Sequence, residues 1–143
     1  MTFSLKPPAI KLSENDIEAQ ITGVLRLAGW KVIRLHSGLI DLPYERGGKP
    51  AKLRVGEQGM CDWLAVHPRM HERGKPGIIW FEVKAPGRKP TETKMVQSKK
   101  SGRWRKRKGQ MEYLKELNAA GFCCGWFDSL DGFRKFYRER FES

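Results

Sequence analysis

Apolar residues recur at helical spacing from Ser13 onward. Ile17, Ile21, Val24, Leu25 and Ala28 form one stripe, and Gly29 supplies the stop. Ser13 is a good N-cap, and Asp16 three residues on makes a weak capping box. The spacing predicts a helix to about Ala28, and the alternation from Lys31 to His36 predicts a first strand. Two later runs are apolar, β-branched and aromatic: Gly59 to Val66, and Ile78 to Lys84. Both read as buried strands. Pro68 ends the first of them, and Arg69 to Pro76 makes a polar turn before the second. A second helix is predicted from Gln110 to about Ala120, with Tyr113, Leu114 and Leu117 inward and Gly121 as its stop. Phe122 to Phe127 reads as a further strand. Asp128 or Ser129 caps a last helix, whose stripe is Phe133, Phe136, Tyr137 and Phe141. The order helix, three strands, helix, strand, helix implies a mixed α/β layer, a central sheet with helices on its faces.

Other stretches are less periodic. Residues 1–12 read as an extended lead-in, because Pro7 and Pro8 oppose regular structure. Residues 37–58 are broken by Gly38, Pro43, Gly47, Gly48, Pro50 and Gly56, and suggest a loop or a loose hairpin. Arg46, Lys49, Lys52 and Arg54 add positive charge there. After Ala85-Pro86-Gly87, residues 88–108 hold ten basic residues, a single acid, Glu92, and Trp104 in the densest part.

Composition narrows the function. A chain of 143 residues fits one domain spanning 1–143. The balance of 28 basic and 16 acidic residues, a net charge of +12, favours a polyanionic partner, most often nucleic acid. No apolar run approaches the roughly 20 residues of a membrane span, and Met1 to Pro8 lacks a signal-peptide core. The three cysteines, Cys61, Cys123 and Cys124, lie in strand-like runs and act as small apolar residues of a reducing compartment. No Cys-x-x-Cys pair or zinc-ligand histidine spacing is present.

Charge within the apolar strands points to chemistry. A buried strand should avoid unpaired ions. Yet Asp62 sits in the first run, and Glu82 and Lys84 end the second on one face, with Val83 pointing away. Two carboxylates near one ammonium can hold a divalent metal and position a water. Glu18 borders the buried stripe of the first helix, but Glu14 has a comparable position, and periodicity does not choose between them. Gln110 lies on the inward stripe of its helix, where satisfying backbone groups at the helix start is, for this residue alone, favoured over a catalytic role.

Taken together, Glu18, Asp62, Glu82-Val83-Lys84 and Gln110 resemble the PD-(D/E)xK nuclease superfamily, and within it the virus-type replication-repair nuclease (VRR-NUC) domain. The resemblance runs from about Ser13 to Phe127. It rests on the helix closed by Gly29-Trp30, the step Gly59-x-x-Asp62, the run Glu82-Val83-Lys84-Ala85-Pro86, and the helix Gln110-x-x-Tyr113-Leu114 ending at Gly121. It implies a restriction-endonuclease-like core, a central mixed sheet flanked by helices, with the active site at one sheet end. It implies a metal-dependent endonuclease in which Asp62, Glu82 and the Val83 carbonyl hold Mg²⁺, with Mn²⁺ as a substitute. Glu18 would bind through water or hold a second ion, Lys84 would orient the attacking water, and Gln110 would orient Lys84 or that water. The family's spacing, about three turns before the closing glycine, selects Glu18 over Glu14. The departure from the family is the long basic insertion, residues 85–109.

Lys99, Lys100, Arg103, Arg105, Lys106, Arg107 and Lys108 are the candidate phosphate contacts, and Trp104 a candidate stacking residue. Small members of the family act on branched DNA, which implies four-way (Holliday) junctions, a homodimer, DNA repair and the cytoplasm of a bacterial or phage-infected cell. The alternatives are a non-catalytic nucleic-acid-binding module on the same fold, or a flap- or single-strand-directed nuclease. A sequence-specific restriction-type nuclease is disfavoured by small size and the lack of a base-reading module.

Overall fold

A computed structural model describes residues 11–36 and 38–142. Most of the expected extended lead-in, residues 1–10, lies outside the described residues. Helix α1 spans Glu14–Leu27. Strands β1 (Lys31–Arg34), β2 (Gly38–Arg46), β3 (Lys49–Val55) and β4 (Trp63–Val66) follow. A short 3₁₀ turn at Met70–Arg73 leads to β5 (Ile78–Val83). Strands β6 (Lys94–Gln97) and β7 (Trp104–Arg107), helix α2 (Gln110–Ala119), strand β8 (Cys123–Phe127) and helix α3 (Leu130–Phe141) complete the order.

Four strands make the central sheet, in the order β1-β4-β5-β8. β1, β4 and β5 pair antiparallel, and β8 joins β5 in parallel after the crossover through α2. This mixed α/β architecture matches the order read from the sequence. Alternation along β5 divides its side chains between two layers. Ile79, Phe81 and Val83 enter the main core with Ile17, Ile21 and Leu25 of α1 and with Phe133 and Phe141 of α3. Trp80 points the other way, to the smaller core under α2 with Cys61, Tyr113 and Leu114. Cys123 and Cys124 pack on these two opposite faces, as adjacent strand residues must. Indole Nε1 of Trp30 donates to the Tyr137 hydroxyl at 3.0 Å, which ties α3 to the start of β1.

Ser13 and Asp16 form the expected capping box in full. Ser13 N–H donates to Asp16 Oδ2 at 2.8 Å, and Asp16 N–H donates to Ser13 Oγ at 3.2 Å. The same pattern, without the reciprocal half, starts α3, where Gly132 N–H donates to Ser129 Oγ. Of the two capping candidates there, Ser129 is the one used.

Two further regions form hairpins, and of the two readings open for residues 37–58, a loop or a loose hairpin, the hairpin is the one observed. Residues 38–55 form the antiparallel pair β2–β3, closed at Gly47-Gly48 with positive φ at both glycines, the conformation a tight hairpin turn needs. The basic insertion contains the pair β6–β7. Its register, Lys94↔Arg107 to Gln97↔Trp104, is closed by Gly102 N–H donating to the Ser98 carbonyl. Neither hairpin belongs to the central sheet. No residue of β6 or β7 is buried, so that hairpin lacks the apolar face whose periodicity marks a strand in sequence.

Candidate functional site

Pairing register brings four element ends together. Arg34, the last residue of β1, pairs with Trp63, the first of β4, and Trp63 pairs with Phe81 near the end of β5. Val83 pairs with Phe127 at the end of β8, and Lys84 N–H extends that pairing to the Phe127 carbonyl. Both hairpins leave the sheet from this end, one between β1 and β4 and the other after β5.

Glu82 is 0 % exposed. Its Oε2 accepts from the Asp62 backbone N–H at 3.0 Å, and Lys84 Nζ lies 3.4 Å from its Oε1. No protein hydrogen bond reaches that buried Oε1. Desolvation first, and the neighbouring Asp62 carboxylate second, push the Glu82 carboxyl up to about 8; Lys84 opposes the rise. A carboxylate in this state is costly without a cation, and a buried acceptor without a donor is a natural metal ligand.

Glu18, 7 % exposed, is held from two sides. Trp63 Nε1 donates to its Oε1 at 3.3 Å, and Arg34 pairs with its Oε2 at 3.1 Å. The Arg34 guanidinium also lies 5.0 Å from the Trp63 ring centroid. Glu14, one turn before Glu18, is here as well. Ligand oxygens of Glu14, Glu18 and Asp62 all lie within 4.8 Å of one another, close enough to hold a metal ion. The family spacing set Glu14 aside; a helix places residues four apart on one face, and both carboxylates reach Asp62. Asp62 thus stands between Glu82 on one side and the α1 carboxylates on the other. The Arg34 and Trp63 clamp on Glu18 was missed in the sequence, where nothing connects β1 to Glu18 before the strands are paired.

Cys61 adjoins Asp62 in sequence, but its thiol is buried and pushed up to about 12, by desolvation first and the Glu82 charge second. A thiol held protonated in this way is a poor nucleophile.

Beside Lys84 lies a cleft of 660 Å³, lined by Lys84, Gln110, Lys94, Arg105, Arg107 and Lys108, with Glu57, Glu92 and Gly59 among the other wall residues. Gln110 lines it, but its Oε1 accepts from the Thr91 N–H at 3.2 Å. The Gln110 N–H returns a bond to Thr91 Oγ1 at 3.1 Å, and Met111 N–H bonds the Thr91 carbonyl. Gln110 therefore clasps the chain after β5 to the start of α2, satisfying backbone groups there, and this bond does not orient Lys84.

Gly59 explains the Gly-x-x-Asp step. With φ +80°, a Cβ there would lie 2.6 Å from the Gly109 carbonyl oxygen, and a Cβ on Gly109 would lie 2.4 Å from the Glu92 backbone. Three backbone segments meet at van der Waals contact to form the cleft wall. Gly59→Ala is expected to cost about 2–4 kcal/mol in urea unfolding, from left-handed strain plus overpacking. Gly23→Ala, inside α1 with nothing within 4 Å, should instead be neutral or stabilising by about 0.5–1 kcal/mol.

The basic residues of the insertion are not equivalent. Lys106 Nζ pairs with Glu112 at 2.7 Å, and Lys108 pairs with Glu116, both across to α2. Lys108 also lies 5.1 Å from the Tyr113 ring centroid. The bond from Lys106 and a second from Thr93 Oγ1 hold the Glu112 carboxyl below its ordinary value. Lys99, Lys100 and Arg103 sit exposed at the hairpin tip, and Trp104 is 64 % exposed.

Glu82 also predicts a pH dependence. Unfolded, it loses its proton near its ordinary value of 4.5; folded and metal-free, at about 8. The unfolded state therefore releases the proton first, and Glu82 destabilises the fold progressively as pH rises through that window. A divalent cation that prefers the ionised carboxylate offsets this. Melting temperatures from about pH 5 to about pH 9 should show Mg²⁺ stabilisation growing with pH.

No helix among the described residues is long and apolar enough to cross a membrane. Comparison with protein-family models, with curated proteins and with solved structures finds no match for this chain.

Proposed function

We propose that this chain is a metal-dependent, structure-specific DNA endonuclease of the VRR-NUC type, with a PD-(D/E)xK core, acting on branched DNA such as four-way junctions. The observation that carries the reading is the buried Glu82, with one oxygen bonded to the Asp62 backbone and the other unbonded, on the strand face it shares with Lys84. A strand-edge salt bridge alone does not account for a fully buried carboxylate beside a second one, with two more on α1. The strand order with antiparallel β1, β4 and β5 and parallel β8 supports the same core, because it gathers these residues at one sheet end.

In this reading Asp62, Glu82 and the Val83 carbonyl would hold Mg²⁺, or Mn²⁺ in its place. Glu14 and Glu18 would contribute to the same ion or to a second one. The ion, when bound, lowers the pKa of water and stabilises charge on the phosphate. The Lys84 side chain lies beside Glu82, where it orients the attacking water or balances the developing charge. Arg34 and Trp63 fix Glu18 so that its carboxylate does not turn away. The cleft cations meet the DNA backbone, which gives affinity without sequence reading. A homodimer would place two such sites for the paired cuts a symmetric junction requires.

The test is cleavage of labelled duplex, flap, splayed-arm and four-way-junction DNA with Mg²⁺, with Mn²⁺ and with EDTA. The expected result is metal-dependent cutting of the branched forms over plain duplex. Binding to junctions without scission under any metal would establish the non-catalytic module instead.

A further inference from the structure

The β6–β7 hairpin has two chemically different faces. Cα pairing puts Lys94 and Val96 on one side with Arg105 and Arg107, and Met95 and Gln97 on the other with Trp104 and Lys106. Arg103, two residues before Arg105, continues the first side toward the tip. Arg105 and Arg107 line the 660 Å³ cleft that holds Lys84, and the same two arginines, with Arg103, line a second cavity of 550 Å³ nearer the tip. One row of arginines therefore runs without a break from the tip to the acidic end of the sheet. Among the described residues none of the three has an acidic partner in an ion pair, whereas Lys106 on the other face is tied to Glu112. The second face has its only described cation neutralised in this way and leaves Trp104 64 % and Met95 57 % exposed.

We propose that this hairpin is a strand-separating wedge: the Arg103, Arg105 and Arg107 face guides the DNA strand that enters the cleft, and Trp104 on the opposite face stacks on an unpaired base of the strand turned aside. The inference rests on the nucleic-acid reading above and deepens it, because it names the branch point as the feature recognised. An unpaired base offers an aromatic surface that a paired duplex keeps in its stack. An arginine row with no sequence-reading geometry suits a phosphate backbone. The two needs of a branch point, one strand led in and another held off, correspond to the two faces.

The experiment is fluorescence anisotropy with a labelled four-way junction, a splayed arm and a fully paired duplex in EDTA, so that no strand is cut. Trp104→Ala should weaken binding to the junction and splayed arm by about 5- to 150-fold and leave duplex binding near the wild-type value. Trp104→Phe should keep most of the preference, because a ring still stacks. The Arg103→Ala, Arg105→Ala, Arg107→Ala triple variant should weaken binding to every DNA and reduce the log–log salt slope by about 2 to 3. Equal losses with Trp104→Ala on all three DNAs would overturn the proposal. So would an unchanged salt slope in the triple variant, or a change in oligomeric state in place of DNA affinity. Selective loss in a protein that never cuts DNA would support the wedge and reject the nuclease. An indifferent Trp104→Ala in a protein that cuts would reject the wedge alone.

Discussion

Glu82→Ala and Lys84→Ala are each expected to reduce Mg²⁺-dependent cleavage of branched DNA by about 10²–10⁴-fold or more, with DNA binding largely retained. The reason is position. Glu82 is near the C-terminal end of β5 and wholly enclosed, and Lys84, just past the strand, brings its Nζ to 3.4 Å from Glu82 Oε1. Glu82→Ala should not unfold the protein, because it removes a buried carboxylate that is unfavourable without a cation. Lys84→Ala acts in a second way as well. Lys84 is the one nearby charge that lowers the Glu82 pKa, so its loss raises that pKa further and weakens metal capture near neutral pH. Part of the Lys84→Ala defect should therefore recover as pH rises, and that of Glu82→Ala should not. Single-turnover cleavage across pH separates the two, and full activity in either variant would remove this strand from the chemistry.

Asp62→Asn is expected to weaken Mn²⁺ binding by at least about 10–100-fold, read by isothermal titration. An amide keeps the size of the side chain but replaces a charged oxygen ligand with a neutral one. The backbone N–H of residue 62 still donates to Glu82 Oε2, so the local fold should hold. Loss of the Asp62 charge should also bring the Glu82 pKa down, since that charge is the second cause of its rise. Glu14→Gln in the same titration tells whether α1 shares the ion. A loss comparable to that of Asp62→Asn would place the cation among Glu14, Glu18 and Asp62; an unchanged affinity would place it between Asp62 and Glu82.

The core elements were legible because their burial is one-sided and periodic. Ile17, Ile21 and Leu25 repeat at helical spacing and meet the β5 residues Ile79, Phe81 and Val83. Glu82 and Lys84 stood out because charge interrupts that same apolar strand. Glu14 was not separable from an ordinary surface glutamate, because its significance depends on where Asp62 lies across the sheet end. Arg34 was invisible for the same reason. The β6–β7 hairpin gave no signal because its polar strands bury neither face in the core. Its basic run read as one uniform patch, and only the Cα register divides it into an arginine face, a Trp104 face and two lysines committed to α2. Gln110 was identified as an inward polar residue, and its backbone clasp with Thr91 was one of the two roles open to it.

The most direct test of the central claim is a time course of the purified chain with an end-labelled four-way junction, started in EDTA and then supplied with excess Mg²⁺. The expected result is an intact junction until Mg²⁺ is added, strand scission from that point, arrest on further EDTA, and no scission by Glu82→Gln. A junction that is bound yet stays intact with both Mg²⁺ and Mn²⁺, or scission that persists in Glu82→Gln, would contradict it.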